Sequence, residues 1–357
     1  MKIIHTADLH FDSKMETNLT KEMAKERKME IRYSFQRLIE YANENDIKVI
    51  LICGDMFDTA NVSNSTRTFL VDLIKGNPQI DFLILKGNHD EYNLLLDEEL
   101  ANVKLFKNEL THFKYDDVNI YGFNMKSGGF SPANFELLSF DKNEKNILCL
   151  HGQISNNYSL SVDYCIPLNL LKNKNIDYLA LGHIHSFNFG KIDERGIYAY
   201  SGILEPRGFD ECGEKGFIEI NVTDKIYTKF VPFSKREFKE CEVDISKCDN
   251  ASEILTSALE SLKEENSGNF IKLKLVGDYD LGKDKDIAYL EKVLNDKFYF
   301  AKVMDCTTIK ADYEKLQYDI SLKGEFVRTV LSDTSLSESD KKTILDYGIK
   351  ALEKGEI

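Results

Sequence analysis

Several features typical of membrane-bound, secreted or repetitive proteins are lacking in this chain of 357 residues. No apolar run approaches the roughly 18 residues that a transmembrane helix needs. The opening, Met1 to His5, reads as a strand and has no signal-peptide core. We find no internal repeat and no low-complexity segment. These absences favour an ordinary globular protein, which we expect in the cytoplasm and away from membranes.

The seven cysteines lack the spacing of a redox or metal motif. None belongs to a C-x-x-C pair, and their number is odd. Disulfide frameworks and structural zinc sites usually need paired cysteines. At least two of the seven lie inside apolar, strand-like runs. We therefore expect reduced cysteines that serve for packing.

Positive charge is also in short supply. The chain has 46 lysine and arginine residues against 60 aspartate and glutamate residues, a net charge of −14. Acidic residues outnumber basic ones both before and after residue 225. Bulk electrostatics therefore disfavour nucleic-acid binding. Any contact with DNA must come from a local groove or from metal ions.

The length predicts two domains, because a single hydrophobic core rarely extends beyond about 250–300 residues. Around residues 225–245 the motifs stop and the pattern becomes that of a small α/β unit. We assign residues 1–225 to a catalytic domain and residues 226–357 to a small α/β domain with C-terminal helices. The apolar stripe of the last helix is interpreted either as core or as a docking strip for a partner.

Hydrophobic periodicity predicts the individual elements. In the first domain we expect strands over 1–7, 47–53, 80–85, 147–150, 176–181 and 216–222, helices over about 19–45 and 65–75, and hairpins over 112–124 and 187–200. In the second domain we expect a helix that begins at Asn250, a helix over 287–296, two closing helices, and strands over 270–276, 299–308 and 315–322.

The stretch from Val49 to Asp58 is the central example of an apolar strand that ends in a polar cluster. A buried apolar run ends there in Gly54, Asp55 and, three residues later, Asp58. In open α/β sheets, ligands bind beyond the carboxyl ends of such strands. One isolated cluster would be explained by a plain turn. However, four other strands end in similar clusters: Asp8-Leu9-His10, Gly87-Asn88-His89-Asp90, His151-Gly152 and Gly182-His183-Ile184-His185.

These clusters predict a metal site, because strand ends along one sheet edge lie close together. Five of the seven histidines fall in them. Imidazole, carboxylate and amide oxygen together suit Mn²⁺, Fe²⁺ or Zn²⁺, and the absence of cysteine disfavours a closed structural zinc site. Two metal ions would form a clamp for displacement at phosphorus. Seven candidate ligands are too many for one ion and sufficient for two: Asp8, His10, Asp55, Asn88, His151, His183 and His185.

The order Asp-x-His, Gly-Asp-x-x-Asp, Gly-Asn-His-Asp, His-Gly and Gly-His-x-His resembles the calcineurin-like metallophosphoesterase superfamily over about residues 1–220. The resemblance implies an α/β fold with two mixed β-sheets packed as a sandwich and helices on the outer sides. It also implies a division of the ligands. Asp8, His10 and His185 would bind the first metal, Asn88, His151 and His183 the second, and Asp55 would bridge them.

The same resemblance implies roles for three further residues. His89 would face the scissile phosphate as leaving-group acid or hydrogen-bond donor. Asp58 is interpreted either as the carboxylate that orients His89 or as a turn-stabilising residue. Asp90 is interpreted as structural.

Within the superfamily, details are similar to the SbcD type DNA repair exonucleases. They are the opening Lys2 to His10, the form Gly54-Asp55-Met56-Phe57-Asp58, and the loop from Tyr200 to Gly216. The resemblance implies a Mn²⁺-dependent nuclease for DNA repair and recombination, an SbcC type coiled-coil ATPase as partner and a second domain that caps the active site. It leaves a homodimer open. Arg207 in the loop is interpreted either as a phosphate contact or as an exposed residue.

Two other functions stay open at this point. The same metal centre would serve a phosphatase or a cyclic-nucleotide phosphodiesterase, in which a small pocket replaces the DNA groove. A scaffold without catalysis would give no reason for His89 beside a complete ligand set.

Overall fold

The computed structural model describes residues 1–15, 19–59, 62–90, 100–124, 132–156, 164–280, 283–309 and 313–354. The chain divides into two compact units, Met1–Glu237 and Phe238–Ile357. The division therefore falls after Glu237 and not after residue 225. The reason is that strand Ile226–Pro232 pairs along its whole length with strand Gly216–Val222 of the first unit.

The first unit contains both sheets expected from the sequence. Its strands are β1 (Lys2–Thr6), β2 (Val49–Cys53), β3 (Asp81–Leu85), β4 (Val103–Leu105), β5 (Thr111–Tyr115), β6 (Val118–Gly122), β7 (Lys145–His151), β8 (Gln153–Ser155), β9 (Cys165–Pro167), β10 (Tyr178–Gly182), β11 (Asn188–Lys191), β12 (Ile197–Tyr200), β13 (Gly216–Val222) and β14 (Ile226–Pro232). Its helices are α1 (Lys21–Glu44), α2 (Asn64–Lys75), α3 (Pro132–Glu136) and α4 (Leu168–Leu171).

Two six-stranded sheets form the frame, in the orders β14-β13-β1-β2-β3-β4 and β11-β12-β10-β7-β6-β5. Neighbouring strands from β1 to β4, and from β12 through β10 and β7 to β6, run parallel. The outer strands β5, β11, β13 and β14 pair antiparallel. The predicted mixed sheets and both predicted hairpins are thus confirmed.

Three apolar layers explain why the strands of the first unit read as continuous hydrophobic runs. Alternate residues, such as Val49 and Leu51, pack between the sheets against Ile147 and its neighbours. The residues in between, such as Ile50, face the outer layer that contains α1 and α2. A corresponding layer covers the second sheet. The sandwich with helices outside is therefore confirmed.

Helix α1 shows how the sequence sets one of these layers. Thr20 caps it by accepting a hydrogen bond from the Met23 amide at 3.2 Å. One face of the helix is buried and carries an apolar stripe that includes Phe35 and Leu38. Burial of each such large apolar side chain stabilises the fold by about 1.5–3 kcal/mol.

The second unit is a small α/β body. Its strands are β15 (Phe238–Asp244), β16 (Phe270–Val276), β17 (Asp278–Tyr279), β18 (Phe300–Asp305) and β19 (Thr308–Ile309), and its helices are α5 (Ala251–Ser261), α6 (Ile287–Lys297), α7 (Tyr313–Leu316), α8 (Leu322–Ser332) and α9 (Glu338–Lys354). A parallel sheet in the order β15-β16-β18 forms its centre. Asn250 caps α5 as predicted.

One element of the second unit was predicted wrongly. The strand expected over 315–322 does not form: α7 ends at Leu316 and α8 begins at Leu322. Tyr318, Ile320 and Leu322 alternate with polar residues as a half-buried strand would. Their side chains are instead 81%, 101% and 70% exposed. In α9, Leu345 and Ile349 are buried, which supports the core interpretation of that helix.

Among the helices in the described ranges, none has the length and apolar character needed to cross a membrane.

Candidate metal centre

The seven predicted ligands lie just beyond, or at, the carboxyl ends of five strands. Asp8 and His10 follow β1, Asp55 follows β2, Asn88 follows β3, His151 ends β7, and His183 and His185 follow β10. Within each sheet these strands are parallel neighbours. The sandwich brings the two sets of strand ends together, and the side chains of residues up to 175 positions apart come into contact.

The first group consists of Asp8, His10 and His185, whose ligand atoms all lie within 4.8 Å of one another. The Nε2 atoms of His10 and His185 are 3.2 Å apart. Nδ1 of His185 lies 2.7 Å from Oε1 of Glu211, and Nδ1 of His10 lies 3.0 Å from Oδ1 of Asp58. In the tautomer that carries its proton on Nδ1, each of the two rings has a bare acceptor at Nε2. Two lone pairs this close fit a shared cation.

The second group is built in the same way around His151. Its Nδ1 lies 2.9 Å from the carbonyl oxygen of Cys53, which leaves Nε2 as an acceptor when the ring is neutral. That Nε2 is 2.9 Å from Oδ1 of Asn88 and 3.4 Å from Oδ2 of Asp55. The same Asn88 oxygen lies 3.3 Å from Nδ1 of His183. This concentration of acceptor atoms again fits a cation.

Asp8 is common to both groups. It lies within 4.8 Å of His10 and His185 in one, and of Asp55 and His151 in the other. The predicted bridge, Asp55, lies in the second group. Asp8 was predicted as a ligand of the first metal alone. By distance, however, it is a neighbour of both groups.

The charges in this buried cluster are strongly coupled. Burial raises the pKa of Asp8 to about 7, although His151 opposes the rise. Burial also raises the pKa of Asp55, but the contacts with His151 outweigh it and bring the value to about 2. Burial lowers the pKa of His151, but Asp55 and Asp8 reverse this and raise it to about 9. Two buried carboxylates at one point demand positive charge, which a divalent ion supplies when bound.

Four of the ligands have a left-handed backbone that non-glycine residues rarely adopt. The φ angles are 52° for Asp8, 45° for His10, 49° for Asp55 and 96° for His183. Each such residue costs about 1–3 kcal/mol, and such strain concentrates at functional sites. The sequence did not predict this feature.

Two glycines give the ligands room. A Cβ on Gly54, whose φ is +92°, would lie 2.1 Å from Nδ1 of His151. A Cβ on Gly87 would lie 2.1 Å from Oδ1 of Asp55. Side chains at these positions would push the ligands away.

His89 lies at the exposed side of the cluster. Its ring centroid is 5.3 Å from that of His10, and its amide N–H donates to Oδ1 of Asp55 at 2.8 Å. Its Nδ1 lies 3.3 Å from the backbone carbonyl of Asp58. The Asp58 carboxylate does not orient this ring. It contacts His10 Nδ1 and the guanidinium of Arg207 instead, each at 3.0 Å.

The family model for calcineurin-like phosphoesterases matches residues 1–187. The chain belongs to this family. It is therefore a metallophosphoesterase, a hydrolase with the fold described above.

Similarity to individual phosphoesterases extends further along the chain. The DNA double-strand break repair protein Mre11 of Sulfolobus acidocaldarius is 22% identical, over 97% of this chain and 94% of that protein. The Mre11 protein of Saccharolobus solfataricus is 25% identical, over 100% and 96%. The uncharacterized metallophosphoesterase YhaO of Bacillus subtilis is 26% identical, over 78% and 72%. A solved dimetal phosphatase from Danio rerio is 10% identical over 65% and 99%, with a TM-score of 0.45.

The other polar residues of the motifs have structural partners in this phosphoesterase. The Asp90 carboxylate accepts hydrogen bonds from the amides of Met56, Phe57 and Gly87, so its structural interpretation is confirmed. His5 lies between the two sheets, with Nδ1 2.8 Å from the Tyr178 hydroxyl.

The sequence analysis did not predict the contacts of two residues at the site. Arg207 is 23% exposed and pairs with Asp58 and Glu211. Glu211 lies in the loop that carries the resemblance, but no role was predicted for it. Burial raises its pKa, but His185 and Arg207 outweigh burial and bring the value to about 2. The one signal in the sequence was the spacing of Arg207 and Glu211 in the glycine-punctuated loop.

Proposed function

We propose that this phosphoesterase is a DNA nuclease that hydrolyses phosphodiester bonds at DNA ends with two divalent metal ions, of which Mn²⁺ is the first choice. In this proposal it is the nuclease subunit of an SbcCD type complex in the cytoplasm. The observation that carries it is the similarity to Mre11 proteins over almost the full length of both chains. That similarity includes the second unit, which lies outside the family match at residues 1–187.

In this proposal the ligands divide between the ions as the family resemblance implies. Asp8, His10 and His185 would hold the first ion, Asn88, His151 and His183 the second, and Asp55 would contact both. When bound, such a pair of ions supplies an activated water and neutralises charge on the phosphoryl oxygens.

In this proposal His89 is the proton donor to the leaving oxygen. Its amide is held by Asp55, and its Nδ1 lies beside the Asp58 carbonyl. If Nδ1–H donates to that carbonyl, Nε2 carries a proton in the imidazolium form. That proton is then available to the oxygen that departs from phosphorus.

The acidic chain needs a local means of holding DNA, and the metal ions would provide it. The net charge of −14 gives no general attraction for a polyanion. Phosphate binding at the ions makes affinity depend on metal.

Exposed apolar residues in the second unit support the proposal of a protein partner. Tyr318, Ile320 and Leu322 are large apolar residues with 81%, 101% and 70% exposure along one short segment. Contiguous exposed apolar residues commonly mark a protein interface. An SbcC type coiled-coil ATPase is the partner that the proposal assigns to them.

The decisive experiment compares three substrates in parallel. Purified protein with Mn²⁺ is incubated with end-labelled duplex DNA, bis(p-nitrophenyl) phosphate and p-nitrophenyl phosphate. We expect cleavage of DNA and of the diester, with little hydrolysis of the monoester. The Asp55→Ala variant serves as the control for contaminating nucleases and should be inactive on all three.

The acidic charge favours one alternative, a phosphatase or cyclic-nucleotide phosphodiesterase that acts on a small substrate. Fast hydrolysis of the monoester, or of a cyclic nucleotide, with intact DNA would establish it in place of the nuclease. Repeating the assay with Fe²⁺ under anaerobic conditions and with Zn²⁺ would identify the metal that supports the highest rate.

A further inference from the structure

The two imidazoles of the first group are joined by a closed ring of five side chains. Nδ1 of His10 contacts Asp58 at 3.0 Å, and Asp58 contacts Nη1 of Arg207 at 3.0 Å. Arg207 donates from Nη2 to Oε1 of Glu211 at 2.9 Å, and Glu211 lies 2.7 Å from Nδ1 of His185. The Nε2 atoms of the two histidines, 3.2 Å apart, close the ring.

Glu211 is held firmly within this ring. Its Oε1 also accepts a hydrogen bond from Nε of Arg207 at 3.1 Å, and its Oε2 accepts from the Arg207 backbone amide at 2.6 Å. Its side chain is 5% exposed, and that of Arg207 is 23% exposed. A carboxylate with so many donors has one orientation, and it imposes that orientation on the His185 ring.

Among the residues that the structure describes, no comparable ring of side chains supports the second group. His151 Nδ1 is oriented by the backbone carbonyl of Cys53 at 2.9 Å, and the backbone N–H of His183 donates to Asp8. Removal of a side chain from the ring would therefore disturb the first group and leave the second in place.

We propose that Arg207 and Glu211 are positioning residues for the first metal ion. They hold the His10 and His185 rings with both Nε2 atoms directed at one point. Arg207 keeps the carboxylates apart and balances part of their charge. This inference rests on the metal site of the proposed function, and it makes affinity for one of the two ions depend on a loop that supplies no ligand.

A simpler account would treat Arg207 and Glu211 as a pair that stabilises its own loop. The two accounts differ in what a substitution changes. A loop-stabilising pair affects the unfolding of the metal-free protein, whereas the ring affects binding of one ion selectively.

The test is a Mn²⁺ titration of the full chain by calorimetry, with bound metal counted by elemental analysis after desalting. We expect Glu211→Gln to weaken one of two ions by about 10- to 100-fold and to leave the other near wild type. Arg207→Gln should weaken the same ion. The matched control is Asp210→Asn, which removes the same charge from the adjacent exposed position and should leave both affinities unchanged.

Unfolding of the metal-free variants shows whether each is folded before titration. The inference would be overturned if Glu211→Gln and Arg207→Gln each bound two ions with wild-type affinities. Equal weakening of both ions together with a lower unfolding temperature would also overturn it, in favour of the loop-stabilising account. A wild-type protein that binds two ions but cleaves no phosphodiester would overturn the proposed function and leave this inference standing.

Discussion

The amide N–H of His89 donates a hydrogen bond of 2.8 Å to Oδ1 of Asp55. One carboxylate therefore lies among the candidate metal ligands and also holds the loop that carries Asn88 and His89. The metal site and the residue proposed to protonate the leaving group are linked through a single side chain. A change at Asp55 is expected to affect both.

Substitution of Asp55 by alanine should remove activity and weaken both metal ions, because both groups lose a neighbouring negative charge. Substitution of Asp8 should weaken mainly the ion held by His10 and His185. A Mn²⁺ titration of the two variants measures this difference. Equal loss of both ions from Asp8→Ala would transfer the shared role to Asp8, which is common to both groups by distance.

His89→Gln should lower the turnover of a phosphodiester by about 10²–10⁴-fold, because a positioned proton donor contributes that much. Bound metal should stay at the wild-type level. Elemental analysis and steady-state kinetics on the same preparation check both statements. Asn88→Ala is the neighbouring control and should lose metal as well as turnover. Loss of metal from His89→Gln would mean that His89 is itself a ligand.

Gly54→Ala and Gly213→Ala form a matched pair that separates backbone strain from a clash. Both glycines have a left-handed backbone, with φ of +92° and +84°. An added Cβ meets His151 at 2.1 Å in the first case and nothing within 4 Å in the second. Strain alone should cost about 1–2 kcal/mol of unfolding free energy, so Gly213→Ala should lose this much and keep its metal affinity.

Gly54→Ala should lower the free energy of unfolding more than Gly213→Ala does, because the buried His151 ring must move. It should also bind metal weakly. Urea unfolding and Mn²⁺ titration of both variants give the comparison. Equal losses in the two variants would show that the contact with His151 is unimportant.

His5 predicts a pH dependence of stability. Burial lowers its pKa to about 3, and the Leu181 carbonyl offsets this only in part. In the unfolded chain its pKa is about 6.5. Between these values the unfolded chain binds a proton that the folded chain does not, so the free energy of unfolding decreases by about 1.4 kcal/mol for each unit by which the pH is lowered.

Between pH 6.5 and 5, the unfolding free energy of the variant His5→Gln should depend less steeply on pH than that of the wild type, because the contribution of His5 is removed. It should be less stable at pH 8 by about 1–3 kcal/mol, because the Tyr178 hydroxyl and the Leu181 carbonyl lose their partner. Unfolding free energies of both proteins at saturating Mn²⁺ provide the difference. An identical slope in the variant would show that the buried imidazole accepts the proton without cost.

The sequence predicted well those elements in which the local spacing of apolar residues shows which faces are buried. Strand β2 reads as a continuous apolar run because both of its faces are buried, and α1 shows one apolar stripe because one face is buried. The same reasoning failed at Tyr318, Ile320 and Leu322. Their alternation satisfies the pattern of a strand, but whether a neighbouring strand exists to receive them is not a local property.

The sequence by itself determined the fold class and which residues are candidate ligands, since the polar clusters stand at strand ends and parallel strands end along one sheet edge. Only the tertiary structure decided how these residues relate to one another. The position of Asp8 in both groups, the bond between His89 and Asp55, and the ring through Arg207 and Glu211 join segments far apart in the chain. Such contacts depend on the packing of two sheets and on left-handed backbone at the ligands, neither of which leaves a periodic signal in the sequence.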